Sequence, residues 1–232
     1  MSTFVISDKY PEFIKAIENL GHNTIKAETV KTFHLPEQKH ADMQVLPINN
    51  DIFILQECEV LKEKLKNKSL HLCNKNVGKS YPENIILNFL YLNNKLYGKM
   101  SAIDDSLLSY CTLNNIERIN VNQGYTRCSV LVINDNAVIT SDISLKKAFE
   151  ANGVDVLLIS SGSIVLDGFD YGFIGGASGC LDNNTIIFFG NIKNHPDYNS
   201  IKNFCIKYKK NIEILCEHLP LTDIGGMVKI GD

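Results

Sequence analysis

YTRCSVLVINDNAVITSD, residues 125–142, is the stretch that decides the fold. Two runs of β-branched and apolar residues flank Asn134-Asp135-Asn136, the composition of a tight hairpin turn. The same layout returns three times. HADMQVLPINNDIFIL, residues 40–55, turns at Asn49-Asn50-Asp51, and ENIILNFLYLNNKLYGKM, residues 83–100, turns at Asn93-Asn94. GFIGGASGCLDNNTIIFFG, residues 172–190, turns at Asp182-Asn183-Asn184. The turns recur at roughly 42–48 residues, within the period of repeat architectures.

Working outward, each hairpin is preceded by a short amphipathic helix and a short apolar strand. The helices are expected over Pro11–Leu20, Glu57–Asn67, Asp104–Asn114, Ser144–Asn152 and Tyr198–Lys209. Ser144 is the expected N-cap of the fourth, and Asn152-Gly153 its C-terminal stop. The strands are NTIKAE, SLHLC, ERINVN, VDVLLIS and NIEILCE. Val154–Ser160 lacks polar alternation and reads as a buried strand.

Five modules follow, over approximately 8–55, 56–100, 101–142, 143–190 and 191–232 of a single domain spanning 1–232. The fifth is short of one strand, because PLTDIGGMVKIGD supplies only one before the chain stops. TFVIS, residues 3–7, is a strand without a module. Pairing it beside residues 224–230 completes the fifth hairpin and leaves no open sheet edge. The expected fold is thus α/β, a five-module pseudo-fivefold propeller closed by the N-terminal strand. An ordinary doubly wound sheet is the alternative that the same elements allow.

A ring of five such units resembles the pentein fold of the guanidino-group-modifying enzymes. These include arginine and agmatine deiminases, dimethylarginine hydrolases and amidinotransferases. HADMQ, QGYTRCS, FDYGFIGGASG and LTDIGG look like a bacterial branch of that fold. The resemblance implies a nucleophilic cysteine, a histidine in a His-x-Asp motif and carboxylates that grip a guanidinium. A thiolate attacks the guanidinium carbon, a histidine protonates the departing nitrogen, and water or an amine resolves the thiouronium adduct. Carboxylates suit the planar cation because its N–H donors form a fork.

On that resemblance His40-Ala41-Asp42 matches the His-x-Asp pattern, and Asp223-Ile224-Gly225-Gly226 looks like the family's acidic Gly-Gly segment. The family's nucleophile lies near the C-terminus, two modules beyond the histidine. Here the last module, GGMVKIGD, has no cysteine, whereas two modules beyond His40 stands Cys128. A rotated module order therefore restores Cys128, His40 and Asp223 as the catalytic set. Asp42, Arg127, Tyr125, Gly175 and Gly176 are the expected substrate-binding residues. Arg127 would repel a cation but could hold a substrate carboxylate, and it could lower the pKa of the adjacent thiol. Each assignment has a plainer counterpart: a core cysteine, a solvated loop histidine, a strand-start aspartate.

Other features are read more plainly. Cys180 competes as nucleophile but abuts the turn at 182–184 and should lie near the rim. Phe173–Gly179 lacks the ending of a phosphate-binding loop and opens no helix, so its small residues mark crowded inner strands. Asp197, after His195-Pro196, reads as a helix-start residue. KEKLKNK, residues 62–68, is a solvated helix face.

Composition excludes whole classes of function. With 44% hydrophobic and 21% charged residues the chain is an ordinary globular sequence. A formal charge of -3 with dispersed lysines gives no nucleic-acid footprint. No apolar run reaches the ~18 residues of a membrane span, and the N-terminus does not read as a signal peptide. The seven cysteines are odd in number and form no CxxC pair, which speaks against a disulfide framework and a structural zinc site. A reduced, cytoplasmic setting follows. The expected reaction is cysteine-dependent hydrolysis or amidino transfer on a small guanidine or amidine compound, with no cofactor and no metal; a homodimer is compatible with it. The alternative is a non-catalytic binding or scaffold protein on the same fold, as in ribosome anti-association factors.

Overall fold

The computed structural model describes residues 1–231. The chain opens with β1 (Thr3–Ile6), α1 (Pro11–Asn19) and β2 (Asn23–Lys26). Four repeats of hairpin, helix and strand follow. The first is β3 (Val45–Ile48), β4 (Asp51–Ile54), α2 (Glu59–Lys64) and β5 (Ser69–Leu72). The second is β6 (Leu90–Leu92), β7 (Lys95–Gly98), α3 (Asp105–Leu113) and β8 (Glu117–Asn120). The third is β9 (Val130–Asn134), β10 (Ala137–Thr140), α4 (Ile143–Ala151) and β11 (Asp155–Leu158). The fourth is β12 (Ser178–Cys180), β13 (Thr185–Asn191), α5 (Tyr198–Lys207) and β14 (Asn211–Pro220), after which β15 (Met227–Gly231) ends the fold.

The strands form five separate three-stranded sheets. In each, an inner strand pairs antiparallel with the middle strand, which pairs parallel with the strand beyond the helix; Val45 faces Ile54, and Ile52 faces Leu70. Each sheet therefore groups a hairpin with the strand that follows it, so the sheet unit runs hairpin–helix–strand. The helix–strand–hairpin modules drawn on the sequence count the same elements from a different starting point. Asparagines make the turns, because Asn49, Asn93 and Asn94 hold positive φ of 54°, 52° and 57°, a conformation that asparagine tolerates better than most residues.

The fifth sheet is assembled from both ends of the chain. β1 pairs antiparallel with β15, Val5 opposite Val228, and parallel with β2. Inner strands neighbour one another around a ring: β15 contacts β3, β3 contacts β6, β9 contacts β12, and β12 contacts β15. Leu90 and Leu92 of β6 share a core with Val130 of β9, which completes the circuit.

Each helix buries its apolar face across two modules. Phe13 and Ile17 of α1 pack with Phe4 and Ile6 of β1 and with Ile187 and Phe189 of β13. Leu145 and Phe149 of α4 pack with Val138 beneath them and with Tyr97 of the preceding module. Each fully buried side chain of this size is worth roughly 1.5–3 kcal/mol, so the clusters that hold a helix to its sheet also join the sheets.

Two local expectations are corrected. Asp142, rather than Ser144, caps α4: its carboxylate accepts the Leu145 N–H at 2.9 Å, and the Ser144 hydroxyl donates to it. A carboxylate outcompetes a hydroxyl at a helix N-terminus because it also meets the dipole. Val154 is buried, but β11 is an outer strand, so Asp155 to Leu157 are half-buried and Leu158 is exposed. Asp197 stands at the start of α5 as expected, in the N-cap position, and its carboxylate accepts from the Ser160 N–H.

Candidate functional site

The segments that enter the inner strands converge at one end of the ring. His40 precedes, and Asp42 sits within, a single 3-10 turn, Ala41–Met43, just before β3. Its approach to Asp223 depends on Gly225, which has φ +79° and whose added Cβ would lie 2.3 Å from the His40 Cα. The Asp42 N–H donates to the Gly225 carbonyl at 3.1 Å. Asp223, ahead of β15, is fixed by two backbone donors: Phe173 N–H at 2.8 Å and Gly225 N–H at 2.9 Å. His40 Nδ1 then stands 3.9 Å from Asp223 Oδ1, both side chains out of solvent.

Cys128, two positions ahead of β9, joins from the third repeat. Asn88 holds it in register. The amide Nδ2 of Asn88 lies 3.0 Å from the Cys128 Sγ and 3.3 Å from the Asp42 carbonyl, and its Oδ1 accepts the Arg127 N–H at 2.8 Å. Gly175 and Gly176 do not line a cleft; they let backbones and carboxylate close up. A Cβ on Gly175 would meet the Cys128 carbonyl at 2.6 Å, and one on Gly176 would meet Asp223 Oδ1 at 1.9 Å. The Gly176 N–H donates to the Cys128 carbonyl and its carbonyl accepts from Ile224 and Gly226, so this glycine pair ties the cysteine segment to the Asp223 segment.

The electrostatics follow from burial without donors. Asp42 is 1% exposed and neither carboxyl oxygen has a hydrogen-bonding donor. Burial, then the neighbouring Asp223 carboxylate, push its pKa up to about 8, with the adjoining Cys128 thiol and the more distant Arg127 opposing. The thiol faces that carboxyl at close range without the geometry of a well-formed hydrogen bond. Burial and the charges of Asp42 and Asp223 raise the Cys128 thiol well above its ordinary range, against the Asn88 amide. Burial lowers His40, although Asp223 pulls the other way.

Glu37 belongs to the same cluster. It is buried, its Oε2 has no partner, and burial followed by the Asp223 charge pushes it up to about 7. Around neutral pH, then, Asp42, Glu37, Cys128 and His40 are all biased toward their uncharged forms. An arriving cation reverses that bias for both carboxyls and for the thiol.

A cleft of about 270 Å³ opens over this cluster. Glu37, Tyr125, Phe169, Asp170, Tyr171 and Phe173 line it. The Tyr125 and Phe173 rings stack at 6.1 Å, and Tyr171 meets Phe173 edge-on at 6.4 Å. The Tyr125 hydroxyl accepts from the Asn84 amide at 2.7 Å and faces Glu37. Cys128 and His40 lie beneath this cleft rather than on its wall.

Cys128, His40, Asp42 and Asp223 are thus brought together, with Tyr125 above them. Arg127 is not with them: its guanidinium donates to the Val130 carbonyl at 3.2 Å and lines a separate cleft with Tyr91 and Lys229. Cys180 is also elsewhere, its Sγ 3.1 Å from the Val132 carbonyl. Sequence reasoning missed Glu37, Asn84 and Asn88. The signals were a Glu-x-x-His spacing at 37–40 and the paired amides of NIILN at 84–88. Among the described residues, no group of three or more His, Cys, Asp or Glu could hold a metal ion, all seven cysteines are free, and no helix is long and apolar enough to cross a membrane.

Residues 5–228 match the Family of unknown function (DUF6873). The chain belongs to that family. Among curated proteins, no sequence matches it. Solved structures share its architecture from end to end. SxtG, an amidinotransferase from Microseira wollei in the saxitoxin biosynthetic pathway, superposes with a TM-score of 0.63 at 10% identity, over 99% of this chain and 94% of that one. The agmatine deiminase of C. jejuni gives 0.59 at 9%, over 100% and 93%. DDAH from Pseudomonas aeruginosa, complexed with citrulline, gives 0.57 at 8%, over 98% of both. At these identities the likeness is one of fold. The five-module ring expected from the repeat is the pentein fold, and this family member has it.

Proposed function

We propose that this protein is a cysteine-dependent hydrolase or amidinotransferase that acts on a small guanidine or amidine compound through a covalent thiouronium. The observation that carries the reading is the convergence of Cys128, His40, Asp42 and Asp223, from three different repeats, in one buried cluster. The enzymatic character of the solved structures with this fold supports the same kind of reaction.

In the proposed cycle Asp42 and Asp223 receive the planar cation, whose charge draws the proton from the Cys128 thiol. His40, neutral at rest, takes that proton, and the resulting imidazolium is stabilised by Asp223 beside it. The thiolate forms a C–S bond to the guanidinium carbon. The proton on His40 passes to one nitrogen, the C–N bond breaks, and ammonia or an amine leaves a cationic thiouronium. Water, or an acceptor amine, attacks the same carbon and gives one proton to His40. The C–S bond then breaks and His40 returns its proton to the sulfur. After attack by water the product sheds its last proton to solvent as a neutral urea, and after attack by an amine it keeps that proton as a guanidinium. Acid–base assistance of this kind contributes roughly 10²–10⁴-fold.

Cys128→Ser should abolish turnover and covalent labelling by a haloacetamidine, read by intact-mass spectrometry. Retained activity or retained single-site labelling overturns the assignment. The second reading is a non-catalytic binding protein on the same fold. The observation that favours it is the burial of the thiol, 2% exposed, beneath a cleft that it does not line. Under that reading the wild-type chain binds a guanidinium, remains unlabelled, and releases no ammonia or amine.

A further inference from the structure

The cleft above the buried cluster specifies more than a guanidinium head. We infer that its ligand is a carboxylate-free cation with an apolar, preferably aromatic, tail: an arylalkyl guanidine or amidine rather than an amino acid. The inference rests on the proposal that the cluster beneath receives the guanidinium, and it adds what the rest of the molecule must be.

Three observations carry it. First, Glu37 lines the cleft and carries a buried carboxyl oxygen, Oε2, that has no partner. A buried acceptor without a donor is a standing cost, which a ligand N–H relieves. Second, the walls are aromatic. Tyr125, Phe173 and Tyr171 form a continuous set of stacked and edge-on rings, with Phe169 at the rim. Phe169 and Tyr171 stay 43% and 41% exposed despite their size, and rings left open at the mouth of a pocket serve both apolar tails and cations.

Third, no cationic side chain stands on the walls to pair with a carboxylate. The charged residues lining the cleft are Glu37 and Asp170, and no lysine or arginine is among them. Arg127, the residue best suited to that task by its place in the sequence, faces a different cleft. The lysines of the adjoining groove, Lys9 and Lys39, are paired with Asp167 and Asp8. An amino-acid substrate would therefore bring its carboxylate against two acids and a ring of π-faces.

The test is binding by calorimetry to the full chain carrying Cys128→Ser, so that turnover does not interfere. The probes are benzylguanidine, agmatine and arginine; agmatine is arginine without the carboxylate. Benzylguanidine and agmatine should each bind at least about tenfold more tightly than arginine. Tyr171→Ala, an exposed site whose loss should leave Tm unchanged, should weaken benzylguanidine about fivefold and agmatine less. Glu37→Gln should weaken all the cations.

Arginine binding as tightly as agmatine overturns the inference, as does arginine affinity that vanishes in Lys39→Ala. Equal turnover of benzylguanidine and arginine by the wild-type chain would also overturn it while leaving the proposed reaction intact. The expected binding order with no turnover of any probe would uphold it and remove the proposed reaction.

Discussion

Asp42, ahead of β3, and Asp51, at the start of β4, stand at opposite ends of the same hairpin, and their carboxyls meet opposite surroundings. Asp51, at the rim turn, collects the Ser69 hydroxyl at 2.5 Å, His71 Nε2 at 2.7 Å and the Tyr110 hydroxyl at 2.7 Å. Those donors hold its pKa down to about 2. Asp42, at the axis, has no donor for either oxygen and is pushed up to about 8. The fold places three side-chain donors around a carboxylate that holds strands together and none around the one beside the thiol. A carboxyl whose partners are withheld is costly to the fold and available to a ligand.

The largest expected effect breaks that contrast at the axis. Asp42→Asn should reduce guanidine turnover by roughly 10²–10³-fold, as expected when a charge facing the reacting centre is removed. The same variant should stabilise the fold. The native carboxyl has a pKa far above its unfolded value, so the native state binds more protons, and stability falls as pH rises from about 4 to about 8. The Tm advantage of Asp42→Asn should be absent near pH 4, grow through that window, and amount to several degrees at pH 8. Equal Tm differences at pH 4 and 8 would remove the unpaired-carboxyl account.

Ligand binding gives the next effect. A cation requires the ionised form of Glu37, whose pKa is about 7. The Glu37 share of guanidinium affinity should therefore rise about tenfold from pH 6 to pH 8 and then level off, while the Asp42 share keeps rising through about pH 8, with proton release visible as a buffer-dependent binding enthalpy. In Glu37→Gln the part of that rise due to Glu37 should disappear.

The rim is tested by smaller effects of opposite sign. Asp51→Asn should destabilise the fold by roughly 1–2 kcal/mol, about 2–8 °C in Tm for a chain of this size, with turnover unchanged. Its folded pKa is depressed, so the stability is fully present above about pH 4 and is lost as pH falls toward 2. Tyr110→Phe removes one of the three donors and should cost about 0.5–1.5 kcal/mol, again without touching activity. A rim variant that lowers turnover as much as Asp42→Asn would erase the distinction between the two ends of the hairpin.

The two ends were also unequally legible in the sequence. Hairpin turns announce themselves locally, because Asn49, Asn93 and Asn94 adopt left-handed conformations that few residues tolerate. The helices were readable from amphipathic spacing, and the orphan strand TFVIS required a partner that β15 supplies. The buried-strand reading of Val154–Ser160 failed because an apolar run does not tell an inner strand from an outer one. The residues of the axis were partly legible as motifs: His40, Asp42, Asp223 and Cys128 were named. Their company was not, since Asn88 and Glu37 act through contacts that no local pattern encodes. Arg127 was misjudged for a related reason. Both residues lie in the turn ahead of β9, where Cys128 enters the cluster while the Arg127 guanidinium is held by the Val130 carbonyl and lines another cleft.

What the sequence alone determined is the repeat: five hairpins, five helices, and a terminal strand that had to come home. Those are properties of short windows, where periodicity, turn residues and caps act over a few positions. What only the tertiary structure decided is which carboxyls keep their donors. The pKa of Asp42 depends on burial by segments from the first, second, third and fifth sheets, and on Gly176 and Gly225 letting Asp223 and His40 approach. A carboxyl's charge state is set by everything within a few ångströms, and that neighbourhood exists only once the ring has formed.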